Sequence, residues 1–143
     1  MNRRELTLAI LAAADGKPYT PVQVQKAAFL VTRNIPGIVT EGPAFNFAPY
    51  DYGPFDSSVY SEVESLQNQG LATVGQSYGR WRTYAANQAG IEAGAQVLAA
   101  IPEAQREYIL EVARWVRSLD FATLVKSVYQ AYPDMKVNSI FQG

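Results

Sequence analysis

Between Phe47 and Asp56 the chain reads Phe-Ala-Pro-Tyr-Asp-Tyr-Gly-Pro-Phe-Asp, and few backbones accommodate that run. Pro49 and Pro54 each fix φ and withhold an amide donor, which keeps the run out of a central strand and out of a helix interior. Pro49 also biases Ala48 toward extended geometry. The run must therefore extend, turn sharply and start a helix, with Asp56 as N-cap and Val59, Val63 and Leu66 as the apolar stripe. Gly70 followed by Leu71 predicts a Schellman closure of that helix. Leu71–Val74 and Trp81–Tyr84 then read as two strands around a Ser77–Arg80 turn. Helix, turn, helix and hairpin in this order describe a winged helix-turn-helix.

The flanking segments are all helical in period. Asn2 with Glu5 forms a capping box for a first helix carrying Leu6, Ile10 and Ala13, closed at Gly16. Thr20-Pro21-Val22-Gln23 is a second capping box with proline at the first helical position. Val24, Ala27, Ala28 and Val31 follow at i, i+3, i+4 and i+7, which predicts an amphipathic helix ending at Asn34–Gly37. Residues 37–46 read as an irregular loop. A fourth helix is expected from Asn87 to Ala100, weakened by Gly90 and Gly94. Pro102 opens a fifth, with Tyr108, Val112, Trp115 and Leu119 as a heptad-like seam. A sixth runs from about Asp120 to Tyr132 on Leu124, Val125 and Val128. The fold class expected is mainly α: residues 1–143 as a single domain, with a winged-helix-like core (1–86) bearing a two-stranded hairpin, additional C-terminal helices (87–134) and a short polar tail (135–143).

Composition narrows the chemistry. The 143 residues include no Cys and no His, so thiolate metal sites, disulfides and Ser-His or Cys-His nucleophiles are excluded. A reducing, cytoplasmic setting fits. The apolar run after Arg3-Arg4 is short and reads as helix rather than leader, and no stretch suggests a membrane span. Net charge is −1, so no global field draws the chain toward a polyanion.

The usual partner of a winged helix is DNA, read by its third helix. Here that helix carries Asp56, Glu62 and Glu64, and no Lys or Arg occurs from Asn34 to Gly79. Phosphate contacts supply most non-specific affinity, so this face is repelled. Arg80 and Arg82 around Trp81 are the one place on the wing where nucleic acid could be gripped. That makes a DNA-binding regulator the alternative reading.

Catalytic patterns are weaker. Glu103, Glu107 and Glu111 share one helix face and read as a solvated row paired with Arg106, Arg114 and Arg117, not as a metal site. Ser57-Ser58 lacks a nucleophile elbow, and the glycines match no phosphate-binding loop. No catalytic residue, metal or cofactor is assigned. Protein recognition is left. Tyr50 and Tyr52 around the rigid Gly53-Pro54 turn, with Trp81 on the hairpin, are aromatics on a stiff frame of the kind that anchor interfaces. Tyr50, Tyr52, Pro54 and Trp81 are the candidate partner-binding residues, while Phe47 and Phe55 are expected in the core. A homodimer through the Tyr108–Leu119 seam is a further reading.

Val24-Gln25-Lys26-Ala27-Ala28-Phe29-Leu30, then Tyr50-Asp51-Tyr52-Gly53-Pro54-Phe55 with Val59-Tyr60 and Leu66, resembles the Panacea antitoxin domain, which includes the SocA-like antitoxins. Tyr84 with Ala89-Gly90, and Ala131-Tyr132-Pro133 with Asn138-Ser139, are similar to later segments of some relatives. The likeness covers about residues 20–90 well and the rest loosely. Ala27-Ala28 stands where larger aliphatics are common, and Phe55 replaces a frequent Val. The resemblance implies a helical domain that neutralises a toxin by direct binding, or serves as a proteolytic adaptor. The expected function is a non-enzymatic protein-binding module, antitoxin-like or an accessory protein of a phage or mobile element, whose partner is a protein such as a toxin.

Overall fold

The computed structural model describes residues 1–77 and 81–141. Along the chain run α1 (Arg3–Ala12), α2 (Pro21–Asn34), β1 (Ala48–Tyr50), β2 (Gly53–Phe55), α3 (Ser58–Asn68), β3 (Ala72–Ser77), β4 (Trp81–Ala86), α4 (Gln88–Ala99), α5 (Glu103–Ser118), α6 (Phe121–Ala131) and a 3-10 turn at Pro133–Lys136. The protein is mainly helical, with two separate antiparallel hairpins, β1–β2 and β3–β4.

The helix ends follow local chemistry. Both capping boxes form, Asn2 with Glu5 and Thr20 with Gln23. The Asn87 and Asp120 side chains cap α4 and α6 through the amides of Gly90 and Thr123. At the end of α3 the Leu71 amide bonds the Leu66 carbonyl at 2.9 Å and the Gly70 amide bonds Gln67 at 3.0 Å. Gly70 has φ +76, so this is a Schellman closure that only a residue tolerant of left-handed backbone makes without strain.

α2 is not amphipathic. Every residue from Val24 to Val31 is buried, Gln25 and Lys26 included. It is the central helix, in contact with α1, α3, α5 and α6 and with both hairpins. Its stripe of Val24, Ala27, Ala28 and Val31 marks the face most deeply enclosed, not the boundary with solvent.

α4 also departs from expectation. A Cβ on Gly94 would lie 2.2 Å from the Ala12 Cβ, and one on Gly90 would lie 1.9 Å from the Leu71 carbonyl oxygen. These glycines do not merely weaken the helix. They let α4 press onto α1 and onto the end of α3.

On α5 the buried residues are Ile109, Val112, Ala113 and Val116, at 3.6-residue spacing. Of the expected seam only Val112 is among them. Tyr108 is half-buried, its hydroxyl accepting from Asn34 Nδ2 at 2.8 Å, and Trp115 is exposed. The Glu103–Glu111 row is exposed as expected, but two of its presumed arginine partners are used elsewhere. Arg106 donates to the Leu98 and Ile101 carbonyls, and Arg117 to the Pro18 carbonyl.

The C-terminal segment is tied to the first hairpin and to α6, although Val137 and Ile140 stay exposed. The Ile140 amide bonds the Asp51 carbonyl at 3.0 Å, Asn138 Nδ2 bonds the Pro49 carbonyl, and Phe141 meets the rings of Phe121 and Tyr129. Met135 is buried.

Candidate functional site: an aromatic cleft over a buried lysine

The Phe47–Asp56 run forms a hairpin of two three-residue strands in which Pro49 stands opposite Pro54 and Tyr50 opposite Gly53. Two prolines are tolerated because a two-stranded hairpin has outer edges, where a missing amide donor breaks no ladder bond. Gly53 has φ +103, which supplies the turn, and a Cβ there would sit 3.2 Å from Tyr129 Cε1 and 3.5 Å from Lys26 Cε.

Two buried polar side chains of α2 hold this hairpin in place. Gln25 Nε2 donates to the Asp56 carbonyl at 2.8 Å, and Gln25 Oε1 accepts from the Asp56 amide at 3.1 Å. Lys26 Nζ donates to the Pro54 carbonyl at 3.1 Å. Both side chains thus read backbone about 30 residues away, which satisfies groups that would otherwise be buried unpaired. The Asp56 carboxylate completes the corner. It accepts from Ser58 N at 2.8 Å and from Asn46 N at 2.7 Å. Asp56, expected as the N-cap of α3, thus steadies the helix start from one residue ahead of the cap position, which Ser57 occupies without a side-chain bond.

Between this hairpin, the first turn of α2 and the first turn of α6 lies a cleft of about 670 Å³, the size of an ordinary ligand pocket. Tyr50, Tyr52, Phe55, Tyr60 and Phe121 are its aromatic lining, and among the described residues Lys26 is its only cation. Tyr52 meets Phe121 edge to face at 5.0 Å, and Tyr50 stacks on Phe55 at 5.3 Å. Tyr50 is 57% exposed, Tyr52 42% and Phe121 40%, so three large rings stand in solvent on a framed rim.

Lys26 is 3% exposed, and burial alone lowers its pKa to about 8. Tyr60 is pushed up to about 12, first by burial and then by Tyr84, against which its ring stacks. Tyr19 is raised as well, chiefly by burial.

The structure brings Tyr50 and Tyr52 together on the cleft. Pro54 is buried behind it and acts through its carbonyl. Phe47 and Phe55 are half-buried, whereas Phe45, just ahead of the run, is buried, its ring tilted against that of Phe47 at 5.8 Å. Arg80 and the Tyr78–Arg80 turn lie outside the described residues, as does the side chain of Trp81. Arg82 is exposed on β4. On α3 the exposed positions include Ser61, Glu64, Gln67 and Asn68, and Glu62 pairs with Arg3 at 2.8 Å. No cation faces out from this helix. No group of three or more acidic side chains able to hold a metal occurs among the described residues, and no described helix is long and apolar enough to cross a membrane.

Sequence reasoning did not find Gln25, Lys26 or Phe121. The signal for the first two was present: a polar pair inside an otherwise apolar Val24–Val31 run. Phe121 follows the α6 cap and carries no local mark. The chain matches no protein-family model, no curated protein and no solved structure.

Proposed function

We propose that this chain is a non-enzymatic protein-binding module that takes part of a partner protein into the Tyr50–Tyr52–Phe121 cleft. One observation carries the reading. Three large aromatic side chains, each more than a third exposed, are fixed by ring contacts and by a hairpin that Gln25 and Lys26 tie to the central helix. Exposed aromatics on a preorganised frame lose little entropy on binding and bury large area, the profile of interface anchors. The scaffold is a winged-helix-like one. Its support is the succession of α1, α2 and α3 followed by the β3–β4 hairpin, with Tyr19 between α1 and α2 bridging Tyr84 of β4. The resemblance of residues 20–90 to Panacea domains makes a toxin the partner to try first, and an antitoxin or accessory protein the role. DNA is the weaker reading, since the exposed face of α3 carries Glu64 and no cation.

The test is site-specific photo-crosslinking in the source cells from Tyr52 and from Phe121, with Gln96 on α4 as control. A protein captured from both cleft positions and not from the control is expected, and it must co-purify with the unaltered chain. Co-expression with each neighbouring gene product should then relieve any toxicity. Capture from Gln96 alone, or rescue undiminished by Tyr52→Ala, would sink the reading.

A further inference from the structure

Lys26 has more hydrogen-bonding capacity than the protein uses. Its ammonium carries three N–H groups, and one acceptor is present, the Pro54 carbonyl at 3.1 Å. None of the ion pairs among the described residues includes it. The neighbouring side chains are already committed. Gln25 spends its amide on Asp56, Gln23 bonds the Thr20 amide and the Leu119 carbonyl, and Asp120 caps α6. A ligand entering the cleft therefore passes the exposed Asp51 and meets aromatic rings and, at the floor, one incompletely bonded cation.

Charge is ordered across the same space. Lys26 is buried, whereas Asp51 and Asp120, which also line the cleft, are both exposed. The complement is a ligand whose anionic end goes in first and whose outer part is neutral or basic. A side-chain carboxylate in mid-chain would bring two continuing strands past Asp51 and Asp120. A chain terminus brings one, and it presents a carboxylate and an apolar side chain on a single Cα.

We propose that the cleft receives the C-terminal residue of the partner, its α-carboxylate bonded to Lys26 Nζ and its apolar side chain packed among Tyr52, Phe55 and Phe121. This rests on the protein-binding reading above and specifies which part of the partner enters. A charge-assisted bond in so enclosed a place is stronger than a neutral one, and chain-end capture is an established mode of peptide recognition.

The test is a nuclear magnetic resonance titration of the full chain with acetyl-Lys-Ala-Phe bearing a free C-terminus, and with the same peptide as its C-terminal amide. Expected are saturable shifts of the Tyr52, Gly53 and Phe121 amides, with the acid binding at least about tenfold tighter than the amide. Lys26→Met should abolish that preference while shifts at Phe121 persist. The acid–amide comparison uses the unaltered chain, so it decides the matter even if K26M fails to fold. Equal binding of acid and amide would overturn the carboxylate anchor but leave the cleft as a docking surface. Absence of binding by either would overturn the anchor as well, and the docking reading then stands or falls on the crosslinks from Tyr52 and Phe121.

Discussion

Burying Lys26 makes the stability of this protein rise with pH where most proteins lose it. The folded state holds the lysine near pKa 8, against an ordinary value of 10.5. Between those values the unfolded chain binds the proton and the folded chain does not, so stability increases with pH across that window. Integrating the two titrations from about pH 7.5 to about pH 9.5 gives a gain of about 2 kcal/mol from this residue. The tyrosines act in the opposite sense but later. Tyr60 ionises near 12 when folded and near 10.0 when unfolded, so its stabilisation is lost only above about pH 10. Urea denaturation at the two pH values, read by tryptophan fluorescence, measures the difference. The control is Lys26→Met, in which the gain should vanish while contributions from other groups remain. A wild-type midpoint that falls or stays level over this interval, or a rise that persists in K26M, would refute the claim that the ammonium is held uncompensated in the fold.

Three other substitutions separate local propensity from packing. Gly94→Ala places a Cβ 2.2 Å from that of Ala12, so it should destabilise by about 1–3 kcal/mol in chemical denaturation despite the better helix former; a stabilised variant would mean that α1 and α4 do not lie so close. Gly70→Ala meets no atom within 4 Å but must hold φ +76, and a cost of about 1 kcal/mol is expected from backbone strain alone. Gln25→Leu strands the amide and carbonyl of Asp56, and should cost about 2–4 kcal/mol and release protection of the Asp56 amide in hydrogen exchange. An unchanged exchange rate there would show that Gln25 does not hold the hairpin.

The local grammar of the chain was legible because its causes are local. Asn2–Glu5, Thr20–Gln23 and Gly70–Leu71 specify helix ends within four or five residues, and each forms the bonds its spacing implies. Pro49, Gly53 and Pro54 leave the hairpin few conformations, which marked Tyr50 and Tyr52 as interface candidates, but the sequence did not decide whether they are exposed; the packed structure does. The floor of the cleft depends on distance partners instead. Gln25 and Lys26 bond residues some 30 positions later, and nothing in a helical stripe says that the opposite face of α2 will also be covered. The same limit applies to Gly90 and Gly94, where propensity argues against the helix and the neighbour that requires glycine lies in another element. Phe121 and the residues that bond Pro49 and Asp51 from the C-terminal segment are brought to the cleft by tertiary packing alone.

The central claim is that the cleft, and not α3 or the β3–β4 hairpin, meets the partner. Its most direct measurement is the affinity of the captured partner for the unaltered chain, for Tyr50→Ala/Tyr52→Ala and for Glu64→Lys. Truncating two exposed aromatic anchors should weaken binding roughly 1,000-fold, at about 2 kcal/mol each. The thermal midpoint should fall by only a few degrees, since Tyr50 and Tyr52 are 57% and 42% exposed and each loses one ring contact, with Phe55 and with Phe121. Glu64→Lys should bind as the unaltered chain does. Full affinity in the double variant, with loss in Glu64→Lys, would contradict the account and move the interface to the third helix.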